Sequence, residues 1–200
     1  MIKTEKLWIS STVRRAWDAG EMVDEFAGEA GLSEKERQYL QLLTEETVGM
    51  VQAMEMAFEG EIWIEGDEKG YAVLLEADTR EKEESPAAQA CPEGFMAKIA
   101  EMLNCSYAFD DISEVPDHLA DTLPDYMSYG MAEDRKGPVW AGKWSLTAYR
   151  ETLEEKRKDP KSEGVLDELE KSIVAQIADE VTVGITGKKI RLEIARKTSR

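Results

Sequence analysis

Between Ser33 and Leu75 the spacing of the apolar residues changes period, and that change limits what the chain can fold into. Leu40, Leu43, Thr44, Thr47, Val48, Val51 and Met54 recur at three and four, the mark of one helix face. Ser33 with Glu36 three residues later forms a capping box that starts this helix. After Phe58-Glu59-Gly60 the period drops to two. Ile62 and Ile64 share one face, EGDEKG forms a polar turn, and Tyr71, Val73 and Leu75 share a face of a second strand. A helix and a hairpin that are each apolar on one side must cover each other, so the chain builds a helical layer on a sheet.

The remaining segments extend the same plan. KLWIS alternates as a half-buried or edge strand does, and a helix is expected from Thr12, with Val13, Trp17, Val23, Phe26, Ala27 and Ala30 at helical spacing. Gly31 ends it, in the position that tolerates positive φ. DTREKEESP, from Asp78 to Pro86, is a charged loop, and Gly94 to Leu103 a short helix with Phe95, Ile99 and Met102 inward. Residues 104–143 are punctuated by Pro116, Pro124, Pro138, Gly130, Gly137 and Gly142, which predicts loops and turns, with Tyr126, Met127 and Tyr129 folded onto the core. WSLTAYRETLEEKRK reads as a helix burying Trp144, Tyr149 and Leu153. Val165 to Ala178 reads as another, through Leu166, Leu169, Ile173 and Ile177. VTVGI and KIRLEIA, joined at Thr-Gly, close the chain as a hairpin. The expected fold is a single α+β domain over 1–200: a two-layer α/β sandwich with a mixed or mostly antiparallel sheet and helices on one face.

Charge and composition narrow the function classes. With 42 acidic residues against 25 basic ones the net charge is −17, which repels phosphate backbones and anionic headgroups, so neither nucleic acid nor a membrane surface is an expected partner. No apolar run reaches the length of a membrane span and the first residues lack a signal-peptide apolar segment, so a cytoplasmic location is expected. Cys91 and Cys105 belong to no CxxC or Cys/His cluster and read as inert thiols. His118 is the single histidine, within VPDHLADTLPD, a surface loop or short helix.

The element order and several strings resemble the Bergerat-fold ATPases of the GHKL group, within it most of all the anti-sigma-factor serine kinases. TVRRAWDAGEMVDEFAGEAGLSEKERQYLQLLTEETVGMV resembles their helix, "GLS" break and N-box helix. EIWIEGDEKGYAVLLEAD resembles the strands leading to their adenine-binding aspartate, and SIVAQIADEVTVGITGKKIRLEIAR the helix and hairpin that close a histidine-kinase ATPase domain. The likeness covers roughly 5–80 and 165–197. An irregular insertion at about 80–164 takes the place of the ATP lid.

What the resemblance implies for the site is specific. Glu46 matches the N-box glutamate, a candidate catalytic base. Four residues on, where the family holds magnesium with an asparagine, stands Met50, a soft thioether suited to a core or cleft wall. Asp78 matches the aspartate that accepts from the adenine amino group, but Arg80 and Lys82 replace the glycines of DxGxG. Their cationic ends would meet phosphate only as charges. The glycine-rich lid start reads DELEKSIV, with Glu168 and Glu170 at glycine positions and Lys171 beside them as a candidate phosphate contact. Each such carboxylate near a triphosphate costs on the order of 1–4 kcal/mol.

The expectation is therefore a cytoplasmic regulator on a histidine-kinase-like scaffold, with ATP and magnesium binding weakened or lost. By resemblance it would act on a protein partner, a sigma factor or a STAS-domain antagonist. A homodimer stays open. The alternative is an active ATP-dependent serine kinase or ATPase with a divergent site. A third reading, a divalent-ion enzyme at Asp110, Asp111, Glu114, Asp117 and His118, draws on a cluster that 42 acidic residues produce by chance. The Met and aromatic residues of MVQAMEMAF and PDYMSYGM suit core packing or a greasy groove.

Overall fold

The computed structural model describes residues 1–11, 16–54, 58–78, 98–103, 141–155, 167, 169–186 and 189–198. In chain order these form β1 (Ile2–Lys3), β2 (Leu7–Ser10), α1 (Ala16–Ala30), α2 (Glu34–Gln52), β3 (Glu59–Asp67) and β4 (Gly70–Asp78). A short helical segment at residues 98–102 follows. Then come β5 (Ala141–Ser145), α3 (Leu146–Glu155), α4 (Ile173–Ile177), β6 (Glu180–Thr186) and β7 (Lys189–Lys197). The sheet runs β1-β3-β4-β7-β6-β5, and β2 shares the outer edge of β3 with β1. Every described pairing is antiparallel. The chain is an α+β two-layer sandwich.

The register explains why the two hairpins merge into one sheet. Ile62, Leu75, Leu192 and Val183 stand opposite one another across four strands, and Ile64, Val73, Ile194 and Val181 form the next row. All eight are at most 1% exposed and belong to the core shared with α1 and α2. Each such side chain contributes about 1.5–3 kcal/mol by leaving water. The opposite face is mainly polar; Trp63 and Leu74, which are paired in register and buried, interrupt it, as do Ala72, Ala195 and the exposed Trp8. Lys6 and Lys3 lie over the Trp63 ring at 4.5 and 5.0 Å, and its Nε1–H donates to Glu65 at 3.1 Å.

The helix pair is punctuated as its residues dictate. Gly31 takes φ +66, Leu32 N–H donates to the Ala27 carbonyl at 3.0 Å and Gly31 N–H to that of Gly28 at 3.4 Å, a Schellman end for α1. Ser33 Oγ then accepts from Glu36 N–H at 3.3 Å and starts α2. The other half of the expected capping box is replaced. Arg196 on β7 donates from Nε to Glu36 Oε2 at 2.8 Å and from Nη2 to Oε1 at 3.2 Å. Tyr71 Oη donates to Glu36 Oε2 at 3.1 Å. A bidentate charged partner outcompetes the backbone N–H for these two oxygens.

Three further expectations change. Trp144 and Ser145 belong to β5 rather than to a helix, because they pair with Val183 and Thr182. Ser145 Oγ instead accepts from Ala148 N–H and starts α3 one residue later. Of the loops expected over 104–143, residues 141–143 are likewise part of β5. The helix expected over Val165–Ala178 is interrupted at Ser172, whose ψ of 128 is extended and which caps the separate α4.

Two outcomes test this account. Arg196 holds the Glu36 carboxyl below the usual carboxylate range, against the opposing effect of burial. A group with a depressed folded pKa adds stability that is complete above its unfolded value of about 4.3 and lost as pH falls through the folded value. Glu36→Gln should cost about 3 kcal/mol at pH 7 by leaving Arg196 unpaired. It should also flatten the loss of stability below about pH 4.3, measured by urea unfolding across the acid range; parallel pH curves for the two proteins would contradict this. Gly66 holds φ +156 and a Cβ there would lie 2.3 Å from the Gly70 carbonyl oxygen. Gly66→Ala should therefore lower stability by about 1–3 kcal/mol in thermal melts.

Candidate functional site

A cavity of about 350 Å³ opens where α2, the 98–102 segment and the entry to α4 meet. Its wall along α2 is Glu46, Gly49 and Met50 with the C-cap Ala53, positions that fall on one helix face. Lys98, Glu101 and Met102 form the second wall at the same spacing, and Lys171, Ser172 and Ile173 the third. The cavity thus lies among helical segments.

The third wall is fixed by Ser172. Its hydroxyl, 2% exposed, donates to the Met102 carbonyl at 2.9 Å and accepts from Ala175 N–H at 3.1 Å. One side chain therefore starts α4 and ties it to the 98–102 segment. Both bonds of this hydroxyl hold the local structure. Thr44 and Thr47 are similarly committed, each donating to a carbonyl one turn back at 2.8 Å.

The lining carries two carboxylates and two ammonium groups, but they are not equivalent. Lys98 Nζ lies 2.7 Å from Glu101 Oε2 in an i,i+3 pair, and Lys171 is also engaged. Glu46 is half-buried and makes no hydrogen bond or ion pair among the described residues. Beside it Met50 is 6% exposed and Met102 partly buried. A thioether next to one carboxylate is a poor site for a hard cation. Among the described residues no group of three or more His, Cys, Asp or Glu is placed to hold a metal ion.

Three of the residues singled out from the sequence, Glu46, Met50 and Lys171, line this one cavity. Asp78 ends β4 opposite Lys189 and is described by its backbone alone. Arg80, Lys82, Glu168, His118, Cys91, Cys105 and the acidic positions Asp110, Asp111, Glu114 and Asp117 lie outside the described residues. Lys98, Glu101 and Ser172 were not expected at the site. The serine before the apolar run IVAQI was the readable signal, since a hydroxyl there starts a helix.

No protein-family model, curated protein or solved structure significantly matches this chain. Among the described residues no helix is long and apolar enough to cross a membrane.

Ser172→Ala removes a cap worth about 1 kcal/mol and leaves the Met102 carbonyl without its donor. Amide hydrogen exchange should speed up about tenfold or more in 98–103 and 173–177 while the β3–β4 amides keep their protection. Uniform acceleration throughout the chain would contradict the local role.

Proposed function

We propose that the protein is a cytoplasmic regulator that works by binding another protein, on a scaffold of the GHKL type whose nucleotide chemistry is weakened or lost. The single observation that carries this is the composition of the cavity. Glu46, Met50 and Lys171, each singled out through the resemblance, line it together, although it lies among helical segments, whereas the resemblance implies a pocket between α2 and the sheet lined by Glu46, Met50 and Asp78. A buried thioether at the place of the magnesium ligand supports a kept scaffold without its metal.

The acidic surplus of −17 favours a basic partner. By the same resemblance the partner class is a sigma factor or a STAS-type antagonist, with a homodimer as a further assembly. An active serine kinase with Glu46 as base and Asp78 on adenine is the competing reading. It needs a metal ligand that position 50 does not supply.

Calorimetric titration with magnesium and ATP separates the two. The regulatory reading predicts neither heat nor a thermal shift at millimolar nucleotide, in the native protein and in Asp78→Asn alike. Micromolar binding that Asp78→Asn abolishes would overturn it in favour of the kinase.

A further inference from the structure

The same cavity has chemistry of its own, and its assignment to a protein ligand rests on the regulatory reading. Among the described residues Glu46 carries a charge with no counter-ion, whereas Lys98, Glu101 and Lys171 are already engaged. Glu46, Met50 and Met102 line the same cavity. Thioether side chains are polarizable and repack around varied shapes. With Lys98 and Glu101 paired and Lys171 engaged, a lining that sets thioethers beside the one carboxylate without a partner among the described residues suits a long side chain with an aliphatic stem and a cationic head.

The surroundings of the cavity favour attachment of that side chain to a protein. Ile173, one of its lining residues, is 46% exposed, and Leu42, one helical turn before Glu46 on α2, is 37% exposed. They are two of the four large apolar side chains that stand exposed among the described residues. An anchor pocket with apolar groups around it is how a protein interface concentrates its affinity. The chain's charge of −17 draws a basic partner toward it.

We infer that the cavity between α2 and α4 receives an arginine or lysine side chain of a protein partner, with its stem between Met50 and Met102 and its head on Glu46. Free small cations lack the flanking backbone that Leu42 and Ile173 would cover.

The test uses the full chain labelled with 13C in its methionine methyl groups, the Met50 and Met102 signals being assigned from Met50→Leu and Met102→Leu. The probe is arginine blocked as N-acetyl and N-methylamide, which mimics a residue within a chain; the controls are blocked norleucine, free arginine and magnesium-ATP. Blocked arginine should shift both methyl signals saturably. Glu46→Gln should weaken binding about tenfold, and Glu45→Gln, exposed on the same helix, should leave it unchanged. No saturable shift, equal binding of norleucine, or equal loss in Glu45→Gln would overturn the inference. So would free arginine binding tenfold tighter than the blocked form, which would make the ligand a small molecule. A saturable response of Met50 to magnesium-ATP would instead break the regulatory reading itself.

Discussion

Arg196, on the last strand, reaches both carboxylate oxygens of Glu36 in the first turn of α2, and this largely buried pair joins the two halves of the chain. Its geometry leaves few lone pairs idle. Tyr71 Oη donates to the same carboxylate and to the Glu36 carbonyl, Arg196 also donates to the Ile177 carbonyl, and its guanidinium lies 4.2 Å over the Tyr39 ring. Burial and the neighbouring Glu36 charge raise the Tyr71 pKa, so this hydroxyl stays a donor. Two charges taken from water are stabilising only when satisfied in this way. The pair therefore fixes where α2 can sit as much as how firmly.

The placement of the cavity follows from it. Arg196 grips the start of α2 and, through the Ile177 carbonyl, the end of α4. Farther along α2 lies the space that Glu46 and Met50 line, and Ser172 closes its far side through the Met102 carbonyl. The sheet contributes rigidity, since its two apolar rows hold β3, β4, β7 and β6 in a register that a one-residue slip would turn inside out.

Much of this was legible from residue spacing. Leu40, Leu43, Thr44, Thr47, Val48, Val51 and Met54 are buried as the helical period requires, and both hairpins fall where the period of two placed them. Gly31 ends α1 in the left-handed conformation expected of it. The misreadings have a common cause, which is that distant partners decide local structure. Glu36 matched a local capping box, and nothing near it announced an arginine 160 positions away. Trp144 and Ser145 suited a helix until β6 supplied a strand to pair with. Ser172 looked like one more residue of a long helix, yet a carbonyl from the 98–102 segment drew its side chain into a cap. At the cavity, Glu46, Met50 and Lys171 had been singled out in the sequence, Met50 as a departure from the resembled pattern, whereas Lys98 and Glu101 enter only because the fold brings their segment alongside α2.

The most direct test of the central claim is a double-mutant cycle on Glu36 and Arg196. Unfolding free energies would be compared for the native chain, Glu36→Ala, Arg196→Ala and the double variant at neutral pH. A satisfied, largely buried pair predicts a coupling of about 2 kcal/mol or more, the double variant being little worse than either single one. Additive losses with a coupling under about 0.5 kcal/mol, as for exposed ion pairs, would show that the pair does not hold α2 to the last strand.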